Sequence, residues 1–97
     1  MEKIICAAIY LNDKKVHDLQ PTNIKIGFVV CGHRHGNCYA TMEIIFGDLD
    51  KYKSEYETQG FITSNNRFVD RKEAAEIAFQ AGQITKEAKC LISEDLY

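Results

Sequence analysis

Apolar side chains in this 97-residue chain are gathered into short blocks between polar turns, and the spacing inside the blocks changes along the sequence. Residues 3–11 are rich in Ile, Ala, Cys and Tyr with almost no polar interruption, which predicts a strand buried on at least one face. Asn12-Asp13 and the single proline, Pro21, mark 12–23 as a loop with a short extended piece around Val16. Ile24 to Cys31 packs Ile, Phe and Val together and predicts a second strand, ended by Gly32. From Asn37 to Phe46 the period lengthens. Tyr39, Met42, Ile45 and Phe46 fall at helical spacing, Cys38 and Ile44 widen the stripe, and Gly47 suits the position just past the helix end.

The stretch Asp48 to Thr58 is charged and only weakly periodic, and loop and short helix both fit it. Gly60–Ser64 and Arg67–Val69 flank Asn65-Asn66, a hairpin signal because Asn tolerates positive φ. Asp70 to Ala81 predicts a helix. Asp70 caps it, Glu73 completes a capping box, Ala74, Ala75, Ile77, Ala78, Phe79 and Ala81 supply propensity and a buried stripe, and Gly82 stops it. Residues 84–97 define no element, and Leu91 and Ile92 are their expected core contacts. The layout is α+β: one domain over 1–97, with a small, mostly antiparallel sheet and two main helices packed on it.

Composition narrows the function. A hydrophobic content of 45% excludes a disordered chain. A net charge of −2 argues against DNA or RNA polymers as partners, because polymer binding rests on a surplus of Lys and Arg along one face. Any phosphate the chain binds is therefore small and local. No run approaches the length of a membrane span, and Ile4–Leu11 is followed by Asn12-Asp13-Lys14-Lys15 rather than by a cleavage pattern, so a cytoplasmic protein with no membrane partner is expected. In that compartment Cys6, Cys31, Cys38 and Cys90 are expected to be reduced, and Cys6, Cys31 and Cys90 read as small buried hydrophobes.

Cations stand where two strands hand over to helices: Cys31-Gly32-His33-Arg34-His35-Gly36-Asn37-Cys38 and Asn65-Asn66-Arg67-Phe68-Val69-Asp70-Arg71-Lys72-Glu73. A helix N-terminus already carries partial positive charge, so cations there oppose its dipole unless an anion sits among them. Three chemistries compete for the first segment. Cys31, His33, His35 and Cys38 are competent zinc ligands, but strand alternation puts Cys31 and His33 on one side while Cys38 lies on the following helix, so no metal is expected. Arg34-His35-Gly36 resembles the Arg-His-Gly signature of histidine phosphatases, with His35 as nucleophile. That motif is three residues long, and the further basic residues such enzymes need late in the chain are missing after Lys89. The third reading is a non-catalytic phosphate site in which Arg34, Arg67 and Arg71 hold phosphates, His33 and His35 assist, and Phe68, Asn65 and Asn66 line a base or ribose. Each arginine taken alone is also explained as a solvated surface residue, and Phe61 and Phe68 as core.

The first cluster, the longer segment Gln59 to Ala74, Ala81-Gly82-Gln83-Ile84 and the ending Ser93-Glu94-Asp95-Leu96 together resemble a group of small phage proteins, the first type of Thoeris anti-defence protein. The resemblance implies a sponge that sequesters cyclic ADP-ribose isomers, and in some members cyclic oligonucleotides of CBASS defence, without cleaving them. It further implies a homo-oligomer with ligand sites at subunit contacts in the infected bacterial cell, with no cofactor and no catalytic residue. The alternatives are a small phosphoesterase using His35 and a protein-interaction domain whose cations meet an acidic partner.

Overall fold

The structure is a computed structural model that describes residues 1–47 and 57–96. Most of the stretch 48–58 therefore lies outside the described residues, as does Tyr97. Four strands, β1 (Ile4–Leu11), β2 (Phe28–Gly32), β3 (Glu57–Thr63) and β4 (Phe68–Asp70), form one antiparallel sheet in the order β2-β1-β3-β4. Helix α1 (His35–Phe46) follows β2, helix α2 (Arg71–Gln80) follows β4, and a 3₁₀ turn spans Ser93–Asp95. The α+β reading holds.

Alternation within β1 separates two faces. Ala7, Ile9 and Leu11 pack with Val30, Phe61 and Val69 beneath the helices, where Cys38 and Met42 of α1 and Ala74, Ala75 and Ala78 of α2 complete the core. The three alanines let α2 approach closely. Ile4 joins the same core because a register shift between Ile4 and Cys6 inserts Ile5, and the Gln83 carboxamide bonds both main-chain groups of Ile4, at 2.8 and 2.7 Å. On the other face Ala8 is fully buried under residues 12–27. That segment crosses the sheet: Ile26 accepts from the Tyr10 hydroxyl at 2.6 Å, and the Asn23 carboxamide pairs with the Phe68 N–H and C=O at 2.9 and 2.6 Å, closing the outer edge of β4.

Several expectations need correction. The second strand starts at Phe28 rather than Ile24, because Gly27 has φ +91° and Ile24 donates its N–H to Pro21 in a turn. In α1, Ile44 and Ile45 are 85% and 62% exposed, since the helix rests on the sheet along the single stripe of Cys38, Met42 and Phe46. Leu91 is buried as expected, whereas Ile92 faces outward. Cys31 and Cys90 are exposed and Cys6 is half-buried; Cys38 is the buried thiol. Asp70 caps α2 by accepting from the Glu73 N–H at 2.8 Å, but the reciprocal half of the capping box is replaced, as the Glu73 carboxylate turns to Arg67 at 3.7 Å. The hairpin turn lies where Asn65-Asn66 placed it, with Asn66 at φ 56°, and Gly47 and Gly82 take positive φ at the two helix ends.

Candidate functional site

Strand register brings the two basic junctions to one level of the sheet. Cys31 pairs with Ala8, Ala8 with Gly60, and Gly60 with Asp70, so β2 and β4, running in opposite directions, end within one residue of the same row. The exits are three strand spacings apart, about 14 Å at roughly 4.8 Å each. Both helices begin close to that row and pack on the same face. Between them lies a cavity of about 480 Å³ lined by Arg34, His35, Gly36 and Asn37 of the first junction, Gln59 of β3, Arg71 of α2, and Ile92, Ser93 and Glu94 of the C-terminal segment.

Each wall is held by its own contacts. Asn37 Oδ1 accepts from the Arg34 N–H at 2.9 Å, and the first turn of α1 contains no acidic residue to answer its amides. Those amides and Arg34 therefore present positive charge together. His35 hydrogen-bonds the Gly60 carbonyl through Nε2 at 2.8 Å and meets the Phe61 ring edge-on at 5.1 Å, so its ring stands at the cavity floor in one orientation. The bond to a carbonyl requires Nε2–H, which leaves Nδ1 as the second polar atom. Gln59 donates to the Tyr39 hydroxyl at 2.9 Å, and that hydroxyl donates to Glu57 at 2.9 Å. Burial and the Glu57 carboxylate together push the Tyr39 phenol up. Arg71 is half-buried; its Nε donates to the Leu91 carbonyl at 3.0 Å, and its main-chain carbonyl accepts from the Leu91 N–H at 2.8 Å, so α2 and the C-terminal segment are laced together at the rim.

Of the proposed binding residues, Arg34, His35 and Arg71 meet in this cavity and the others lie elsewhere. Arg67 makes a paired contact with Glu2, Nε to Oε2 at 2.9 Å and Nη2 to Oε1 at 2.8 Å, tying the hairpin to the N-terminus. Arg67 and Arg71 therefore do not converge within one chain. The Phe68 ring packs on Tyr10 at 5.9 Å and covers Gly60 on the opposite sheet face. Asn65 and Asn66 are exposed in the hairpin turn, where the Asn66 carbonyl accepts from the Thr22 N–H at 2.8 Å. His33 is exposed and does not line the cavity. The zinc set is dispersed: the Cys38 thiol donates to the Ala7 carbonyl in the core while Cys31 stands on the far face. Among the described residues no group of three or more His, Cys, Asp and Glu is placed to hold a metal ion.

Gln59, Ser93 and Glu94 carry no local signal for a site, although Gln59 opens the longer segment that resembles the small phage proteins and Ser93-Glu94 opens the C-terminal one; Ile92, expected in the core, lines the cavity instead. That resemblance was the one signal that could have found them. Asn37 was legible only as part of the first cluster.

These features define a small α+β protein whose two helices start close to one sheet row and share a cavity lined by two arginines and a glutamate. The model of the phage T4 y16D protein family matches residues 3–97, and the chain belongs to that family, which makes it a phage protein. No curated protein and no solved structure matches it. Among the described residues no helix is long and apolar enough to cross a membrane.

Proposed function

We propose that this phage protein is a sponge that binds and sequesters cyclic ADP-ribose-type signalling molecules in the cytoplasm of the infected cell without cleaving them. The observation that carries the reading is the meeting of Arg34 and Arg71, from separate junctions, in one cavity of about 480 Å³ beside the acid-free first turn of α1. That volume lies within the range of small-molecule sites, about 300–1,000 Å³. A pyrophosphate matches the arginines and the helix amides. Gln59 and Glu94 offer an amide and a carboxylate for base and ribose groups, and Ile92 offers an apolar wall. In this reading His35, held by Gly60 and Phe61, serves as a positioned polar group beside the phosphates. A second copy of the chain closing over the rim gives the ligand a further wall, as the resemblance to the Thoeris anti-defence proteins implies.

The test is depletion and recovery. The protein is incubated with a cyclic ADP-ribose isomer, free ligand is measured, the mixture is heat-denatured, and ligand is measured again. A sponge depletes the ligand and returns it intact. Return of a hydrolysis product identifies the phosphoesterase alternative, and an unchanged free concentration identifies the interaction domain. Arg34→Ala and Arg71→Ala should each weaken binding at least tenfold, since one charge-assisted hydrogen bond contributes about 1.5–3 kcal/mol. Arg67→Ala should retain binding wherever the variant stays folded, and its loss from the folded variant would move the site away from this cavity.

A further inference from the structure

A chain of hydrogen bonds between β3 and α1 fixes which atom Gln59 offers to the cavity. Glu57, Gln59 and Phe61 alternate along β3 and share the face on which the helices pack. The Tyr39 hydroxyl of α1 stands 2.9 Å from Glu57 Oε1 and 2.9 Å from Gln59 Nε2. A phenol has one hydrogen, and a carboxylate can only accept it. With that hydrogen given to Glu57, the Tyr39 oxygen accepts, so the Gln59 carboxamide turns its nitrogen toward Tyr39. The reverse orientation sets two acceptors against one hydrogen and leaves one of the contacts repulsive. Burial first, and then the bond to Glu57, push the Tyr39 phenol up, which keeps in place the proton on which the chain depends.

The Gln59 oxygen is left over. Among the described residues no buried side-chain nitrogen or oxygen lacks a hydrogen-bond partner, and Oε1 accepts from none, so it lies open in the cavity that Gln59 lines. Tyr39 and Glu57 do not line that cavity.

We propose that Gln59 is the specificity-determining residue of this cavity: its Oε1, held outward by Tyr39 and Glu57, accepts from the exocyclic amine of an adenine and rejects a base with a carbonyl at that position. The inference rests on the sponge reading and adds the direction of its base contact. An oxygen facing an amine gains a hydrogen bond, whereas an oxygen facing a carbonyl gains repulsion and leaves both acceptors without a donor. A free carboxamide escapes this choice by turning over and offering its N–H groups. Here the turn breaks the bond to Tyr39 and sets two oxygens together, so the chain makes an adaptable side chain selective. Arg34 and Arg71 add nothing to the choice, because they meet the same phosphates in either ligand. Tyr39 and Glu57 act as positioning residues.

The test compares, by equilibrium dialysis with the full chain, one cyclic ADP-ribose isomer and its hypoxanthine counterpart, in which a carbonyl replaces the amine. The parent should hold the adenine form about tenfold or more tightly, the worth of one well-placed hydrogen bond. Gln59→Met, which keeps the length of the side chain without its amide, should bring the two affinities within about threefold of each other. Tyr39→Phe frees the carboxamide to turn, so affinity for the hypoxanthine form should rise above the parent's, a gain that damage to the fold cannot produce. Glu57→Gln is the second route should Tyr39→Phe misfold, and it should give the same gain. Arg34→Ala should weaken both forms equally. Equal affinities in the parent, or the full preference retained in Gln59→Met or Tyr39→Phe, would overturn the role of Gln59 and leave the sponge reading standing. Binding of neither form by the folded parent would overturn both.

Discussion

Glu2 accepts from Arg67 Nε and Nη2 and from the Thr63 hydroxyl at 2.6 Å, and these donors, Arg67 foremost, hold its carboxyl down at about 2, against the ordinary 4.5. The unfolded chain therefore takes up this proton at a higher pH than the folded one does. The contribution to stability is complete above about pH 4.5 and is lost as pH falls through 2. Arg67→Ala should lower the thermal midpoint at neutral pH, and its difference from the parent should vanish near pH 2; a pH series of thermal melts checks this. An equal difference at both ends would mean that Arg67 acts through packing alone. Arg67 also shows how far single residues were legible. Its charge and its place beside a helix start marked it as a phosphate contact, while its partner, 65 positions away, appears only when the hairpin turn meets the N-terminus.

At the scale of elements, α2 was readable because its signals are local. Asp70 needs only the next turn of chain to satisfy an end amide, so Asp70→Ala should cost about 1 kcal/mol in chemical denaturation. Strand β2 was harder to bound, since Ile24 and Ile26 have strand propensity but are drawn into the segment that crosses the sheet. Gly60 joins fold and site. A Cβ there would stand 2.1 Å from the Val69 carbonyl oxygen and 2.7 Å from the Phe68 ring, while the Gly60 carbonyl holds His35. Gly60→Ala should destabilise by about 1–3 kcal/mol or more and disturb the His35 ring, seen as a shift of its NMR signals. Leu91→Ala, at a fully buried side chain, should cost about 2–5 kcal/mol by the same denaturation measurement.

For the whole molecule, the cavity is a product of chain geometry. Two helices that begin close to one row of an antiparallel sheet and pack on the same face share it, and the C-terminal segment laced to Arg71 through Leu91 forms the remaining wall. Ile92, 40% exposed on that wall, tolerates a polar replacement without loss of core. Ile92→Glu should therefore leave the melting temperature within a few degrees of the parent yet weaken depletion of a cyclic ADP-ribose isomer at least tenfold, through repulsion of the phosphates. Unchanged depletion would place the ligand off this wall.

By itself the sequence determined the α+β composition, the β1 strand, the capped α2 helix, the Asn66 turn and the presence of cations at both junctions, because these depend on neighbours within a few residues. Only the tertiary structure decided which cations share a cavity. Arg34 and Arg71 are brought together and Arg67 is drawn away to Glu2 by strand register and by contacts between distant segments, and neither leaves a periodic trace in the chain.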